Sequence, residues 1–294
     1  MANILKSEKR AAVIAALCEG NSVNSTCRMT GVAKNTVLKL LVDLGRVCAA
    51  YQDEALRELP CKRVQVDEIW AFVHAKAKNV PADKRGIFGF GDVWTFTAID
   101  AETKLVPSFL VGLRDGPTAT EFCMDLASRM ASRVQLTTDG HRMYLEAVEA
   151  GFGGEVDYAM LQKIYGGGPT DAEHRYSPAV CIGSEKHAIQ GSPDPKFVST
   201  SYVERQNLTM RMSMRRFTRL TNAFSKKVEN LIAAVAVHYQ WYNFGRVHLS
   251  LKGQTPAMAA GVALRPWTVR DIISLLENAE AAEKAAQALK SEVK

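Results

Sequence analysis

The chain has 294 residues, of which 47% are apolar, so roughly one to three domains with a substantial core are expected. Its formal net charge of +6 and its pI of about 9.0 favour a nucleic-acid or other acidic partner only mildly, since many ordinary proteins are as basic. No apolar run reaches the roughly 18 residues that cross a bilayer, which excludes a membrane-spanning helix.

The cysteines and the N-terminus are typical of a cytoplasmic protein. The six cysteines include no C-x-x-C pair, which excludes the usual zinc-finger spacing and leaves reduced, buried thiols as the expectation. The first residues, Met1-Ala-Asn-Ile-Leu-Lys, contain no apolar signal-peptide segment with a cleavage site. We therefore expect a soluble, cytoplasmic chain that does not associate with membranes.

Residues 1–51 are predicted to form an all-α domain of three short helices. The first follows Ser7 and ends at Gly20, Ser22 is expected to cap the second, and a tight turn leads into the third. That turn and the polar start of the third helix are typical of a helix-turn-helix, in which this start enters the major groove of DNA. The alternative is an ordinary three-helix bundle. The candidate DNA-binding residues on the third helix are Lys34, Asn35, Thr36 and Lys39.

A linker is predicted over residues 52–62 and a catalytic domain over 63–262, where the apolar period changes to that of strands. Strands are expected at 64–73, 93–100, 104–112, 134–138 and 155–160, and helices at 119–132 and 141–150. Three antiparallel strands followed by strands joined through helices are the ribonuclease H-like order. The predicted fold class is therefore α/β, a ribonuclease H-like mixed sheet flanked by helices, with an N-terminal all-α helix-turn-helix domain.

The rest of the chain is expected to be mostly helical. Residues 165–198 are rich in Gly, Pro and Ser, which predicts a long, irregular insertion loop. A helix that carries Glu204 follows, and a strongly apolar helix is expected at 224–242. Residues 263–294 are predicted to form a C-terminal helix.

Three carboxylates occupy positions that suggest chemistry. Asp67 lies on the first strand, Asp139 ends the fourth, and Glu204 begins a helix. The first and fourth strands of a ribonuclease H-like sheet are neighbours, so these acids would converge and could bind Mg²⁺ for two-metal phosphodiester chemistry. Each acid alone has a simpler explanation, such as turn chemistry for Asp139 or the helix dipole for Glu204. The competing acids are Glu68, Asp100, Asp157 and Glu173.

The helix that begins near Glu204 carries a basic stripe. At about 100° per residue, Leu208, Arg211, Arg215 and Arg219 share one face with Glu204. Seven basic residues lie between residues 205 and 227, with no acid among them. We expect this face to follow a DNA backbone, because guanidinium groups match phosphate oxygens; a solvated basic face is the alternative. The candidates are Arg205, Arg211, Arg215, Arg216, Arg219, Lys226 and Lys227.

Several motifs resemble a known family of mobile-element enzymes. The glutamate block that begins Val203-Glu-Arg-Gln-Asn-Leu is similar to that of transposases from the insertion sequence one family. Val66-Asp-Glu-Ile-Trp resembles the first-aspartate motif of this group, and Thr138-Asp-Gly the second. Tyr242-Asn-Phe and Thr255-Pro-Ala-Met-Ala are similar to the C-terminal signature of many DDE transposases. The resemblance covers residues 63–262.

The resemblance implies a bacterial, nucleoid-associated DDE transposase. Asp67, Asp139 and Glu204 would be the catalytic, metal-binding triad, with Mg²⁺ as cofactor and Mn²⁺ as substitute, and Arg211 would be the basic residue after the glutamate. The partners would be double-stranded DNA, as element ends and as target, and further copies of the chain in a homodimer or higher oligomer. The alternatives are a catalytically inactive regulator of transposition and a ribonuclease H-like nuclease without joining activity.

Two departures from the family pattern stand out. The cysteine zinc motif that many relatives carry ahead of the helix-turn-helix is absent. The 65-residue interval between Asp139 and Glu204 is longer than in retroviral-type integrases, so residues 165–198 are expected to loop out.

Overall fold

The computed structural model describes residues 5–166, 181–218 and 222–292, which form two units. The first unit comprises the described parts of Met1–Arg57, Trp70–Trp94 and Asn207–Lys294. The second unit comprises the described parts of Glu58–Ile69 and Thr95–Gln206. Among the described helices, none combines the length and apolarity that a bilayer crossing requires.

The secondary structure alternates between helices and the strands of a sheet. The α-helices are α1 Ser7–Cys18, α2 Val23–Thr30, α3 Lys34–Ala55, α4 Gly116–Ser128, α5 Met143–Phe152, α6 Ser201–Ser213, α7 Val228–Gln240, α8 Pro256–Ala259 and α9 Val269–Glu292. The strands are β1 Arg63–Val73, β2 Gly91–Asp100, β3 Phe109–Gly112, β4 Val134–Asp139, β5 Val156–Tyr165 and β6 Cys181–Gln190.

The three N-terminal helices follow the predicted pattern, with a longer third member. The Ser22 hydroxyl caps α2 by accepting a hydrogen bond from the Ser25 amide at 3.1 Å, and Gly31 ends α2 in the left-handed conformation at φ 68°. Helix α3 continues to Ala55, so residues 52–55, predicted as linker, are helical. The reason is that Gln52 extends the buried face of α3 by bonding the carbonyl of Cys48. The DNA-binding role of these helices stays a prediction.

The six strands form one mixed sheet in the order β3-β2-β1-β4-β5-β6. Strand β4 is parallel to both β1 and β5, and β6 is antiparallel to β5. Strand β3 is shorter than the predicted 104–112 because Pro107 has no amide hydrogen to give to a ladder. Strands β1 and β4 are neighbours, as predicted from the sequence, and helices flank the sheet.

Strand β6 corrects the prediction of an irregular insertion at 165–198. It pairs with β5, which runs to Tyr165 rather than ending at 160. Almost every side chain of β6 is exposed, so an apolar alternation that would reveal the strand is missing. Residues 167–180 of the predicted insertion lie outside the described residues.

The predicted basic stripe is interrupted after α6. Helix α6 ends at Ser213, and Met214 adopts an extended conformation at φ −132° before a short 3₁₀ turn, Arg215–Phe217. Arg215 therefore does not continue the face that carries Glu204 and Arg211, since the helical period is lost at Met214. Arg219 lies outside the described part of the chain.

Helix α7 is the buried centre of the first unit. Ten of its thirteen residues are buried, which explains its continuous apolar pattern. It packs so closely on α3 that a Cβ added to Gly45 would lie 2.4 Å from the Cα of Ala233. Gly45 is therefore required by helix packing.

We expect Gly45→Ala to lower the free energy of unfolding by roughly 1–3 kcal/mol, because the added methyl group meets backbone that cannot move aside cheaply. The same change at Gly116, where a Cβ would meet no heavy atom within 4 Å, is the control and should be neutral or slightly stabilising. Urea unfolding followed by circular dichroism measures both. Equal stabilities of the two variants would show that α3 and α7 pack less closely.

Candidate metal centre in the second unit

The register of two parallel strands places two carboxylates side by side. Gln65 of β1 pairs with Thr137 of β4. Continued by two residues, this register sets Asp67 opposite Asp139. Since alternate residues of a strand share a face, Gln65, Asp67 and Asp139 lie on one face of the sheet.

Gln65 fixes the start of α6 on that same face. Its Oε1 accepts hydrogen bonds from the amides of Tyr202 and Val203, at 2.8 and 3.2 Å. These amides belong to the first turn of α6, where backbone N–H groups have no partner within the helix. The strand thus caps the helix, and Glu204, also in the first turn, is held over the two aspartates.

The three carboxylates predicted as a triad line one cleft of about 400 Å³. All lining residues belong to the second unit. They are Asp67, Asp139, Gly140, Leu161, Gln162, Lys163, Tyr165, Thr200 and Glu204. The fold therefore brings together residues from β1, the end of β4 and the start of α6.

The electrostatics of the cleft favour a bound cation. Burial raises the pKa of Asp67 to about 7, and the nearby charges of Glu68, Asp139 and Glu204 add to this effect. A hydrogen bond from the Glu68 amide to Asp67 Oδ1, at 2.9 Å, acts in the opposite direction. Like charges gathered in a partly buried site are stabilised by divalent cations, which take carboxylate oxygens as ligands.

Glu68 is a member of the acidic cluster that the predicted triad did not include. One carboxylate oxygen from each of Asp67, Glu68 and Asp139 lies within 4.8 Å of the others. The Glu68 side chain is only 1% exposed. It accepts a hydrogen bond from Tyr144 and pairs with Arg114 at 3.0 Å. Burial raises the pKa of Glu68, which these two partners counteract.

Of the other competing acids, two have local structural roles. Asp100 accepts hydrogen bonds from the amide and hydroxyl of Thr103 in the turn after β2. Asp157 pairs with Arg133 at 2.9 Å, and this hydrogen bond, with one from the Ser192 amide, lowers its pKa. Glu173 lies outside the described residues. Asp100 and Asp157 therefore do not contribute to the cleft.

Lys163 is a cationic side chain in the lining of the cleft that the sequence analysis did not identify. Its Nζ lies 2.5 Å from Glu204 Oε1, and the Thr200 hydroxyl donates to the same oxygen at 2.5 Å. Partial burial lowers the pKa of Lys163, but the hydrogen bond and charge of Glu204 outweigh it, so the pKa is raised overall. Leu161 lies opposite Asp139, so Lys163, two residues on, projects from the same face.

Arg114 links the acidic cluster to the loop before α4. Its guanidinium contacts Glu68, and its Nη2 lies 3.8 Å from Asp139 Oδ2. Asp139 also accepts a hydrogen bond from the His141 amide at 3.0 Å, which fixes the turn after β4. These contacts hold Asp139 in place.

The predicted DNA-binding residues are mostly exposed. Those at the start of α3 are all exposed, and Lys39 pairs with Asp43 at 2.8 Å. Arg211 is half-buried, and Arg216 is half-buried and donates to the Ser225 hydroxyl at 2.9 Å. The exposed members of the set are Lys34, Asn35, Thr36, Lys39, Arg205, Arg215, Lys226 and Lys227.

Comparison with known proteins gives weak similarity to transposase structures. No protein-family model and no curated protein matches the chain. The structure of a piggyBac transposase synaptic complex with hairpin DNA is 10% identical over all of this chain and 77% of that chain, with a TM-score of 0.38.

Two structures of the Mos1 transposase are similar at a lower level. The Mos1 mariner paired-end complex with Mn is 11% identical over 82% of this chain and 78% of that chain, with a TM-score of 0.27. The Mos1 strand transfer complex is 13% identical over the same shares, with a TM-score of 0.23. Because all three TM-scores lie below 0.5, the function proposed below is inferred from the residues of the cleft.

In EDTA, we expect the free energy of unfolding to fall as the pH rises from about 4 to about 7. Folded Asp67 holds a proton with a pKa of about 7, whereas an unfolded Asp releases it near 3.9. This stabilisation is complete below pH 4 and is lost as the pH rises through 7. Asp67→Asn should flatten the profile, while Asp83→Asn, at an exposed position, should not. Parallel profiles for all three proteins in urea unfolding would contradict the prediction.

We expect Lys163→Gln to increase the affinity for Mn²⁺ by roughly fivefold, because it removes a positive charge that competes for Glu204. Lys186→Gln is the matched control, since Lys186 bonds the Pro195 carbonyl and no carboxylate of the cleft. Isothermal titration calorimetry with MnCl₂ gives both affinities. An unchanged or weaker affinity in Lys163→Gln would mean that Glu204 is not a metal ligand.

Proposed function

We propose that the chain is a DDE-type transposase that binds the ends of an insertion element, cleaves DNA strands and joins 3′-ends to target DNA. The observation that carries this proposal is the convergence of Asp67, Asp139 and Glu204 on one cleft. Two strands and a helix, distant in sequence, supply three carboxylates there. The resemblance of the glutamate block to the insertion sequence one family supports the same conclusion.

The chemistry of the cleft suits divalent metal ions. The donors are hard carboxylate oxygens, and the pKa of Asp67 is raised first by burial and then by the charges of the neighbouring carboxylates. Two Mg²⁺ or Mn²⁺ ions would supply activation of a water or 3′-hydroxyl and stabilisation of the leaving oxygen. Asp67 and Asp139 would hold them from the sheet, and Glu204 from α6.

The protein itself supplies positioning around the carboxylates. Gln65 holds the start of α6, and Arg114 with the His141 amide holds Asp139. Lys163 pairs with Glu204, and with a metal on that carboxylate its ammonium group would be available to a phosphate. No covalent protein intermediate is required.

The proposed partner is double-stranded DNA. Exposed basic residues at the start of α3 and around the 3₁₀ turn after α6 would contact its backbone, and salt should weaken this binding steeply because counterions are released. We further propose a bacterial, nucleoid-associated protein that acts as a homodimer or higher oligomer, because two element ends must be cut together.

One alternative function has an observation in its favour. The ion pair between Lys163 and Glu204 would also suit an inactive, DNA-binding regulator of transposition, in which a protein cation permanently replaces the metal. In that case the cleft would bind no divalent ion.

The test is strand cleavage of a plasmid that carries the gene with its native flanks, in Mg²⁺, Mn²⁺ or EDTA. We expect metal-dependent cuts at the flanks that Asp139→Asn and Glu204→Gln each reduce by roughly 1,000-fold, because metal ligands act in the transition state. Glu121→Gln, at an exposed position of α4, is the control and should cut like the wild type.

Three other outcomes are distinguishable. Undiminished cutting by both variants would show that the triad is wrong. Flank binding without any cutting would favour the regulator. Cut ends that never join a second plasmid would indicate a ribonuclease H-like nuclease without joining activity.

A further inference from the structure

A second cavity lies entirely within the first unit. It has a volume of about 390 Å³ and is bounded by the α1–α2 connection, the start of α3, the 3₁₀ turn after α6, residues 222–226 and α7. Segments far apart in sequence therefore meet around one space. Among the described residues, none lines both this cavity and the acidic cleft of the second unit.

The lining of this cavity is strongly cationic. Four basic side chains contribute to it, and none of the described residues that line it is Asp or Glu. The four are Lys34, Arg215, Arg216 and Lys226. Since solvated surfaces usually mix charges of both signs, this composition selects for an anion.

Arg216 is the most buried of these cations. Its Nη1 donates to Ser225 Oγ at 2.9 Å, and within the described ranges no carboxylate pairs with it. Burial lowers the pKa of the guanidinium to about 10, so it stays charged at neutral pH. A buried charge without a counterion is costly, and an anion in the cavity would remove that cost.

His238 on α7 supplies an independent observation. The residue is 7% exposed, lines the cavity, and its Nε2 has no hydrogen-bond partner. Burial, followed by the charge of Arg246, lowers the pKa of His238 to about 3, so the ring is neutral. Buried polar atoms nearly always have partners, so the unpaired nitrogen marks the wall of this cavity as incompletely satisfied in the described part of the chain.

The start of α3 adds backbone donors. Lys34 is the first residue of this 22-residue helix, and the preceding Ala33 gives no side-chain cap. The first amides of the helix therefore keep their capacity for an anion, in addition to the field of the helix dipole.

We propose that this cavity binds a phosphate group, held by Lys34, Arg216 and Lys226, with the neutral ring of His238 in its wall. The identity of the phosphate depends on the proposed function, because in a transposase the group would be a backbone phosphate of bound DNA. The cavity would then anchor the DNA between the N-terminal helices and the basic segment after α6. A free phosphate is the other source of the same chemistry.

The experiment measures binding of inorganic phosphate and of a short duplex oligonucleotide by calorimetry at constant ionic strength. We expect Lys34→Gln and Lys226→Gln each to weaken both affinities by roughly 3- to 10-fold. The controls are Lys9→Gln and Lys78→Gln, which remove the same charge from exposed positions of the first unit that do not line the cavity. They should leave phosphate binding unchanged. Lys34 and Lys226 are exposed, so their substitution should not impair folding. Arg216 is more buried and is therefore left unchanged in this experiment.

A second readout reports on the cavity directly. In ¹⁵N-labelled protein, phosphate should shift the His238 Nε2 resonance of the wild type, and less so in Lys226→Gln. No shift, together with equal phosphate affinity in test and control variants, would overturn the proposal. A loss of phosphate binding with unchanged duplex binding would support the site and assign it to free phosphate.

These measurements are independent of the acidic cleft. They use neither metal nor strand cleavage, so a failure of the phosphate site and a failure of the transposase proposal give different results. Phosphate binding that depends on Lys34 and Lys226, in a protein that never cleaves DNA, would leave the cavity assignment intact.

Discussion

Repulsion among carboxylates in one partly buried cleft is the constraint on which the second unit depends. Asp67 and Asp139 face each other across parallel strands, and Glu204 is brought to them by α6. Such an arrangement costs free energy unless cations balance it. Lys163 supplies part of that balance beside Glu204, and Arg114 supplies part beside Asp139. The pKa of Asp67 is nevertheless raised, first by burial and then by the charges of Glu68, Asp139 and Glu204.

The contact between Gln65 and the start of α6 shows that the backbone itself fixes the position of Glu204 relative to the aspartates. Gln65 uses its side-chain oxygen to cap α6, although a residue of the helix's own N-terminus would usually do so. Because Gln65 and Asp67 share a strand and a face, the capping contact and the acidic cleft are separated by a single pleat. A change at Gln65 would therefore displace Glu204 without touching any carboxylate.

Topology made much of this cleft predictable from the sequence. The ribonuclease H-like order sets the first and fourth strands side by side, so the pairing of Asp67 with Asp139 is predictable from the sequence alone. Glu68 could not be predicted as a member of the acidic cluster, because the alternation of side chains along a strand would put it on the face opposite Asp67. Lys163 was missed because β5 continues past its predicted end, and only this extension, paired with the exposed strand β6, carries it into the cleft.

The basic residues show the limit of periodicity. Seven of them lie between residues 205 and 227, and one continuous helix would align several on a single face. The extended Met214 breaks that helix, so Arg215 and Arg216 turn to a cavity that α3 and α7 complete. No proline or glycine lies near Met214, so the sequence does not indicate the break in the helix. The cavity cannot be predicted either, because it depends on contacts between segments that are distant in sequence. Sequence therefore indicated the charges but not their arrangement.

The most direct test of the metal centre is the position of Mn²⁺ in crystals of the protein, located by anomalous scattering. Mn²⁺ peaks in the cleft, held by Asp67, Asp139 and Glu204, and Lys163 displaced from Glu204, are the expected result. Absence of any peak in the cleft at saturating Mn²⁺, with the ion pair between Lys163 and Glu204 intact, would contradict it.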